Sequence, residues 1–320
     1  MSGKLTILRR ALGLLALLAV AGCVSPRPPA VILSTDAGCE VDDQWALAYL
    51  LLLHEAGDVD LRAVVTSHAP NLGERPSERS ASVARRVLEL FDPTSDLPVV
   101  PGSSGALAES KDEDDTRGAR LIVEESAGFS ADNRLIVLTI GAATDVARSI
   151  LLDPSIADRV EIVAMGFEGW PRGGDPWNVK NDPRAYEVIL DSRAPLTIGS
   201  AEPCVRHLSL DARKAALVTE GGGPLGDSLR NDLLAWLREQ GDACRKWTGR
   251  DAWPIWDVIT VAHILGWTRW EEHARPRLRE DLTFEHGEEP GGHLRWITAV
   301  DDGRLWEDFG SRLARHARRD

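Results

Sequence analysis

Four carboxylates fall within eight residues in the stretch Ser34-Thr35-Asp36-Ala37-Gly38-Cys39-Glu40-Val41-Asp42-Asp43, directly after the apolar run Val31-Ile32-Leu33. Negative charges so close repel one another. Such a cluster must be well solvated, cap a helix or hold a hard cation. Asp42 and Asp43, at the start of a helix, would each gain about 0.3–1 kcal/mol from its dipole. Capping explains neither Asp36 nor the glycine, Gly38, in the tight loop. Oxygen-only ligation suits calcium or magnesium, and no His/Cys set nearby points to zinc. A phosphatase with an aspartyl nucleophile opens on D-x-D, but here Ser34 and Thr35 precede Asp36 and Gly38 stands two residues after it.

The elements that must position this loop alternate between strand and helix. Val31–Leu33, Leu61–Thr66, Leu97–Val100, Leu135–Thr139, Val160–Met165 and Pro195–Ile198 read as strands. Helical spacing runs over Asp42–His54, Ser80–Phe91, Arg117–Ser126, Ala142–Leu152 and Asp182–Leu190. This order predicts an α/β fold with an open, mostly parallel, doubly wound sheet and helices on both faces. After Ala201 the alternation fades, leaving helices at Ser228–Glu239 and Trp256–Leu265 and a late strand at Leu294–Val300. Gly221–Gly223 and Gly291-Gly292 read as turns, so residues 31–320 form one expected domain. In an open parallel sheet, ligands bind outside the carboxyl ends of the strands. Chemistry is therefore expected in the loops after Leu33, Thr66, Thr139, Met165 and Ile198.

The first thirty residues lie outside that pattern. Lys4, Arg9 and Arg10 precede the apolar run Ala11–Ala21, and Gly22-Cys23 ends it. This is a signal-peptide layout over residues 1–22. Val20-Ala21-Gly22-Cys23 resembles a bacterial lipobox, which implies acylation of Cys23, a tether over residues 23–30 and a lipid anchor in the cell envelope. The chain carries 37 basic and 50 acidic residues, a net charge of −13, which argues against a nucleic-acid or anionic-membrane surface. Membrane attachment is expected through the lipid alone. Eleven tryptophans against two tyrosines supply flat apolar faces suited to a core or to stacking on sugars and bases. Cys39, Cys204 and Cys244 have no zinc spacing, and the sequence leaves open one disulfide or three buried thiols. It also leaves open a homo-oligomer.

At the acidic loop the chain resembles the inosine-uridine nucleoside hydrolase family, whose members follow their first strand with D-x-D-P-G-x-D-D. Here Ser34 replaces the first aspartate, Ala37 the proline, and two extra residues precede the aspartate pair. Further matches follow in family order. They are Pro98-Val99-Val100-Pro101-Gly102, Leu138–Asp145 around Gly141, Val163-Ala164-Met165-Gly166, Trp177-Asn178 through Asp182-Pro183, and Ile255-Trp256-Asp257. The resemblance implies a nucleoside hydrolase-like fold and calcium-dependent hydrolysis of the N-glycosidic bond of a nucleoside or related riboside. It implies Asp36 as the catalytic base, with Asp36, Asp43, the Ile140 carbonyl and Asp257 on calcium. Asp42, Asn178 and Asp257 would contact the ribose. A cation orients and acidifies a water while a carboxylate takes its proton.

Departures from the family pattern fall at the leaving group. The Glu expected two residues before the ribose asparagine is Pro176, with Asp175 one residue earlier. The histidine expected before the late aspartate is Trp256. Trp177 and Trp256, and less so Trp170, could stack on a base, worth about 1–3 kcal/mol, or could simply pack. His68, after the second strand, is a candidate acid or substrate contact, and more blandly a hydrogen-bonded loop histidine. Asn71 stands near the position of a family asparagine in the same loop, and Glu168 is a further acid candidate. The losses leave a second reading, a calcium-containing lipoprotein that binds a ribosyl ligand without cleaving it.

Overall fold

Val31, Ile32 and Leu33 are fully buried in the computed structural model, which describes residues 27–108, 116–174, 177–287 and 292–319. They belong to β1 (Ala30–Thr35), which pairs in parallel with β2 (Asp60–Thr66) on one side and β4 (Leu135–Thr139) on the other. A strand covered on both faces reads as a continuous apolar run instead of an alternating one. Val31 and Leu33 enter one core cluster and Ile32 the other.

The sheet has eight strands in the order β3-β2-β1-β4-β5-β6-β12-β9. Here β3 is Val99–Pro101, β5 is Val160–Met165, β6 is Leu196–Gly199, β9 is Thr268–Ala274 and β12 is His293–Val300. All neighbours are parallel except the antiparallel pair β9 and β12. Two short ribbons lie apart: β7 (Ser209–Asp211) with β8 (Ala252–Pro254), and β10 (Arg277–Leu278) with β11 (Phe284–Glu285). The order reverses at β1, so the crevice between the ends of β1 and β4 is the topological switch point.

Helices cover both faces. On one side pack α1 (Asp42–Ala56), α2 (Pro76–Phe91), α9 (Gly223–Glu239), α11 (Val258–Ile264) and α12 (Asp302–His316). On the other lie α3 (Arg117–Ser126), α4 (Thr144–Leu152) and α6 (Pro183–Asp191). The short helices α5 (Trp177–Asn181), α7 (Ala201–His207), α8 (Ala212–Val218) and α10 (Gly241–Thr248) connect them. In α1 every residue from Asp42 to Leu53 is buried, because α2, α11 and α12 surround it. No helix among the described residues is long and apolar enough to cross a membrane.

The expected alternation holds through β6. The region after Ala201 holds more than expected. β9 escapes pattern reading because Thr-Arg-Trp-Glu-Glu-His-Ala is an edge strand exposed along most of its length. α12 carried a legible signal: Leu305, Trp306, Phe309 and Leu313 recur at helical spacing and are all buried. Cys23 and the expected signal segment, residues 1–22, lie outside the described residues. Cys39, Cys204 and Cys244 are buried and unpaired.

Candidate functional site

The acidic loop leaves β1 at the switch point and turns at once. The Cys39 amide donates to the Asp36 carbonyl at 3.0 Å. Gly38 sits at φ +91°, and a Cβ there would stand 2.8 Å from Val83 Cγ2, so both conformation and space require glycine. From the loop after β2, Asn71 Nδ2 donates to the Cys39 carbonyl at 2.7 Å and props the turn from below. Asp42 and Asp43 open α1, and Thr35 Oγ1 donates to Asp43 Oδ1. Asp257 arrives from far along the chain, immediately before α11.

Oxygens of Asp42, Asp43 and Asp257 come within 4.8 Å of one another, close enough to share one cation. Asp36 lies against Asp43 but outside that trio, so the cluster the fold assembles includes Asp42, which the resemblance gives to the ribose. All four carboxylates are nearly inaccessible to solvent. Burial first, then mutual repulsion, raises the pKa of Asp36, Asp42 and Asp257 well above the carboxylate range. Burial lifts Asp43 to about 6, opposed by the Thr35 hydroxyl and the Asp36 amide. The neighbouring Asp42 carboxyl adds to the upward shift at Asp257, by its charge and by a hydrogen bond between the two groups. Asp36 Oδ2 is buried with no hydrogen-bond partner. An orphaned oxygen beside three converging carboxylates fits a hard cation.

Asn178 forms the floor. Its Nδ2 donates to the Ile140 carbonyl at 2.8 Å and to the Met165 carbonyl at 3.2 Å, linking the ends of β4 and β5. Both Nδ2 hydrogens are thereby engaged, leaving Oδ1 as the acceptor for a ligand. The cleft above holds about 250 Å³ and is lined at one end by these groups.

Tryptophans line the other end. Trp256 packs edge-to-face on Trp247 at 5.3 Å and on Trp253 at 5.8 Å between centroids. Trp177 stands on α5 with its Nε1 3.0 Å from Cys39 Sγ. Glu40 projects among the indoles. Burial and Asp43 raise its pKa to about 7, and the nearby Trp253 and Trp256 N–H groups pull it down. Trp253 Nε1 forms no well-aligned hydrogen bond of its own.

Asp36, Asp42, Asp43, Ile140, Trp177, Asn178, Trp256 and Asp257 thus line one cleft. His68 and Asn71 do not. His68 is buried, and its Nε2 meets Thr144 Oγ1 at 3.1 Å, the blander of the two readings of that residue. Asn71 acts on the loop backbone instead. Glu168 pairs loosely with exposed Arg172, and Trp170 packs among His273, Phe284 and Trp296. Asp175 and Pro176 lie outside the described residues. Sequence reading missed Trp247, Trp253 and Lys180 on the cleft wall. Trp253 had a signal, since it precedes the Ile255-Trp256-Asp257 motif by two residues; Trp247 had none.

The family model for inosine-uridine preferring nucleoside hydrolase matches residues 31–307. No curated protein matches the sequence significantly. Solved structures with the same fold include a plant nucleoside hydrolase, 18% identical, with TM-score 0.71 over 90% of this chain and 99% of that one. A purine-preferring ribonucleoside hydrolase from Gardnerella vaginalis is 17% identical, with TM-score 0.70 over 91% and 100%. An inosine-uridine preferring nucleoside hydrolase from Bacillus anthracis is 17% identical, with TM-score 0.67 over 90% and 99%. With most of its length matched, its strands in the expected order and its aspartates gathered at the switch point, the chain belongs to the inosine-uridine preferring nucleoside hydrolase family, hydrolases acting on N-glycosyl compounds.

Proposed function

We propose that the protein hydrolyses the N-glycosidic bond of a ribonucleoside or related riboside, with Asp36 as general base and calcium as the cation. The observation that carries this reading is the convergence of Asp42, Asp43 and Asp257 at the switch point, with a buried, unpartnered oxygen of Asp36 beside them. Asp43, Asp257, Asp36 and the Ile140 carbonyl would hold the ion. Bound there, it would acidify a water and orient the ribose hydroxyls. Asp36 accepts the proton of the attacking water. Asn178 Oδ1 and Asp42 accept hydrogen bonds from the sugar and fix C1′ in line with that water. A carboxylate acting through water forms no glycosyl-enzyme intermediate. The same proposal anchors the protein outside the cytoplasm through an acylated Cys23, which membrane fractionation of Cys23→Ser would test.

One observation favours capture without cleavage. Trp256 stands where the family has a histidine, and no histidine lines the cleft among the described residues. Turnover of p-nitrophenyl riboside, whose leaving group needs no acid, separates the two readings. We expect calcium-dependent turnover in the wild type and none in a folded Asp36→Ala variant. A calcium-saturated wild type without turnover would leave only binding.

A further inference from the structure

The leaving-group end of the cleft has an unusual composition. Its walls are the indoles of Trp177, Trp247, Trp253 and Trp256, and its polar group is the Glu40 carboxyl. The edge-to-face pairs set Trp247 and Trp253 nearly perpendicular to Trp256, so the rings form a corner and not a flat stack. Trp177 is 40% and Trp247 37% exposed, large apolar faces left open on the cavity wall. Among the described lining residues the one basic side chain is the exposed Lys180. Aromatic faces around a carboxyl group, with little competing positive charge, are the surroundings in which an organic cation is bound well.

Among the described residues, no histidine lines this end to protonate a departing base. A neutral purine or pyrimidine leaves as an anion unless it is protonated, so it needs an acid. A base that is already cationic needs none. When its bond to C1′ breaks, the bonding pair passes to the ring nitrogen and cancels the charge, and the base departs neutral. The water oxygen forms the new bond to C1′ and its proton goes to Asp36.

We propose that the preferred substrates are ribosides whose base carries a fixed positive charge, such as pyridinium or N7-alkylpurinium ribosides, held within the tryptophan corner. This rests on the hydrolase reading above and specifies its substrate. It also joins two features that otherwise stand separately, the aromatic corner and the tryptophan at the family's histidine position.

The test compares kcat/KM of the calcium-loaded full-length protein for nicotinamide riboside, inosine and uridine, with p-nitrophenyl riboside reporting the hydrolase itself. Isothermal titration with N1-methylnicotinamide, a fixed cation, and with neutral nicotinamide reads the corner without turnover. We expect nicotinamide riboside to exceed both neutral nucleosides by about tenfold or more, and the methylated cation to bind about tenfold tighter than nicotinamide. Trp247→Leu, at a half-exposed position, should narrow both ratios, and Trp247→Phe should keep part of each. Inosine or uridine cleaved as well as nicotinamide riboside, while p-nitrophenyl riboside turns over, would overturn this inference and leave the hydrolase reading intact. If no riboside is cleaved, the hydrolase reading fails, and equal affinity for the two nicotinamides then removes the cation preference as well.

Discussion

Gly141 and Asp36 touch so closely that a Cβ on Gly141 would stand 2.7 Å from the Asp36 amide nitrogen and 2.8 Å from its Oδ1. The backbone at Gly141 is not in the left-handed region, so the restriction is one of space alone. Gly141→Ala must push Asp36 aside. A displacement of about 1 Å at a reacting group costs about 100-fold in rate. Overpacking of this kind costs about 1–3 kcal/mol in stability. We expect a folded variant with kcat/KM lowered about 100-fold on p-nitrophenyl riboside. Wild-type kinetics from this variant would mean that Asp36 does not act where the fold holds it.

Removal of the cation should make stability depend on pH in a defined direction. Glu40 and Asp43 titrate near 7 and 6 in the fold, above their ordinary values of 4.5 and 3.8. Asp36, Asp42 and Asp257 are raised as well. The folded state therefore binds more protons than the unfolded one, and stability falls as pH rises from about 4 through 7. A bound cation replaces those protons and relieves the repulsion. Melting curves with calcium and with EDTA should accordingly diverge more at pH 8 than at pH 5. Equal gaps at the two pH values would show that these carboxylates do not hold the ion.

Asn178 should prove structural and functional at once. Its Nδ2 satisfies the buried carbonyls of Ile140 and Met165. Asn178→Ala strands both acceptors, at about 1–3 kcal/mol. Asn178→Asp keeps the shape but sets a carboxylate against two carbonyls, and should be less stable than the alanine variant at pH 8. Chemical denaturation of the three proteins gives the order. An aspartate variant more stable than the alanine one would contradict the hydrogen-bond assignment.

The sequence carried the first half of the fold well, because β1 and β4 open on continuous apolar runs, β5 is apolar apart from Glu161, and α2 and α6 are strongly one-sided. It carried less of the second half, where β9 is exposed and charged and the helices around Asp211 and Gly241 are short. The carboxylates were legible as a cluster because repulsion needs a reason. That Asp257 would join Asp42 and Asp43 came from motif order, since no local pattern links residues more than 200 positions apart. His68 shows the limit of topology: it follows a strand at its carboxyl end as required, yet it turns inward to Thr144. The role of Glu40 depended on tryptophans from α10 and β8 that only the folded chain brings to it.

Arg275 offers a prediction on stability with no counterpart in the site. It is buried between α6 and β12, forms no ion pair with a carboxylate among the described residues, and donates instead to backbone carbonyls. Ile189, Leu190, Ser192 and Ala194 accept at and beyond the end of α6, and His293 accepts at the start of β12. Helix carbonyls at a C-terminus have no partners within the helix and favour a positive charge. Burial lowers the guanidinium pKa to about 10, so it stays charged at neutral pH. Arg275→Met should strip these carbonyls of their donors and destabilise the protein by about 2–4 kcal/mol in urea unfolding. Arg275→Lys should recover only part, because an ammonium lacks the planar fork that reaches several carbonyls together. Neither change touches the cleft, so kcat/KM measured well below the melting temperature should match the wild type. A methionine variant as stable as the wild type would show that water satisfies those carbonyls as well as the arginine does.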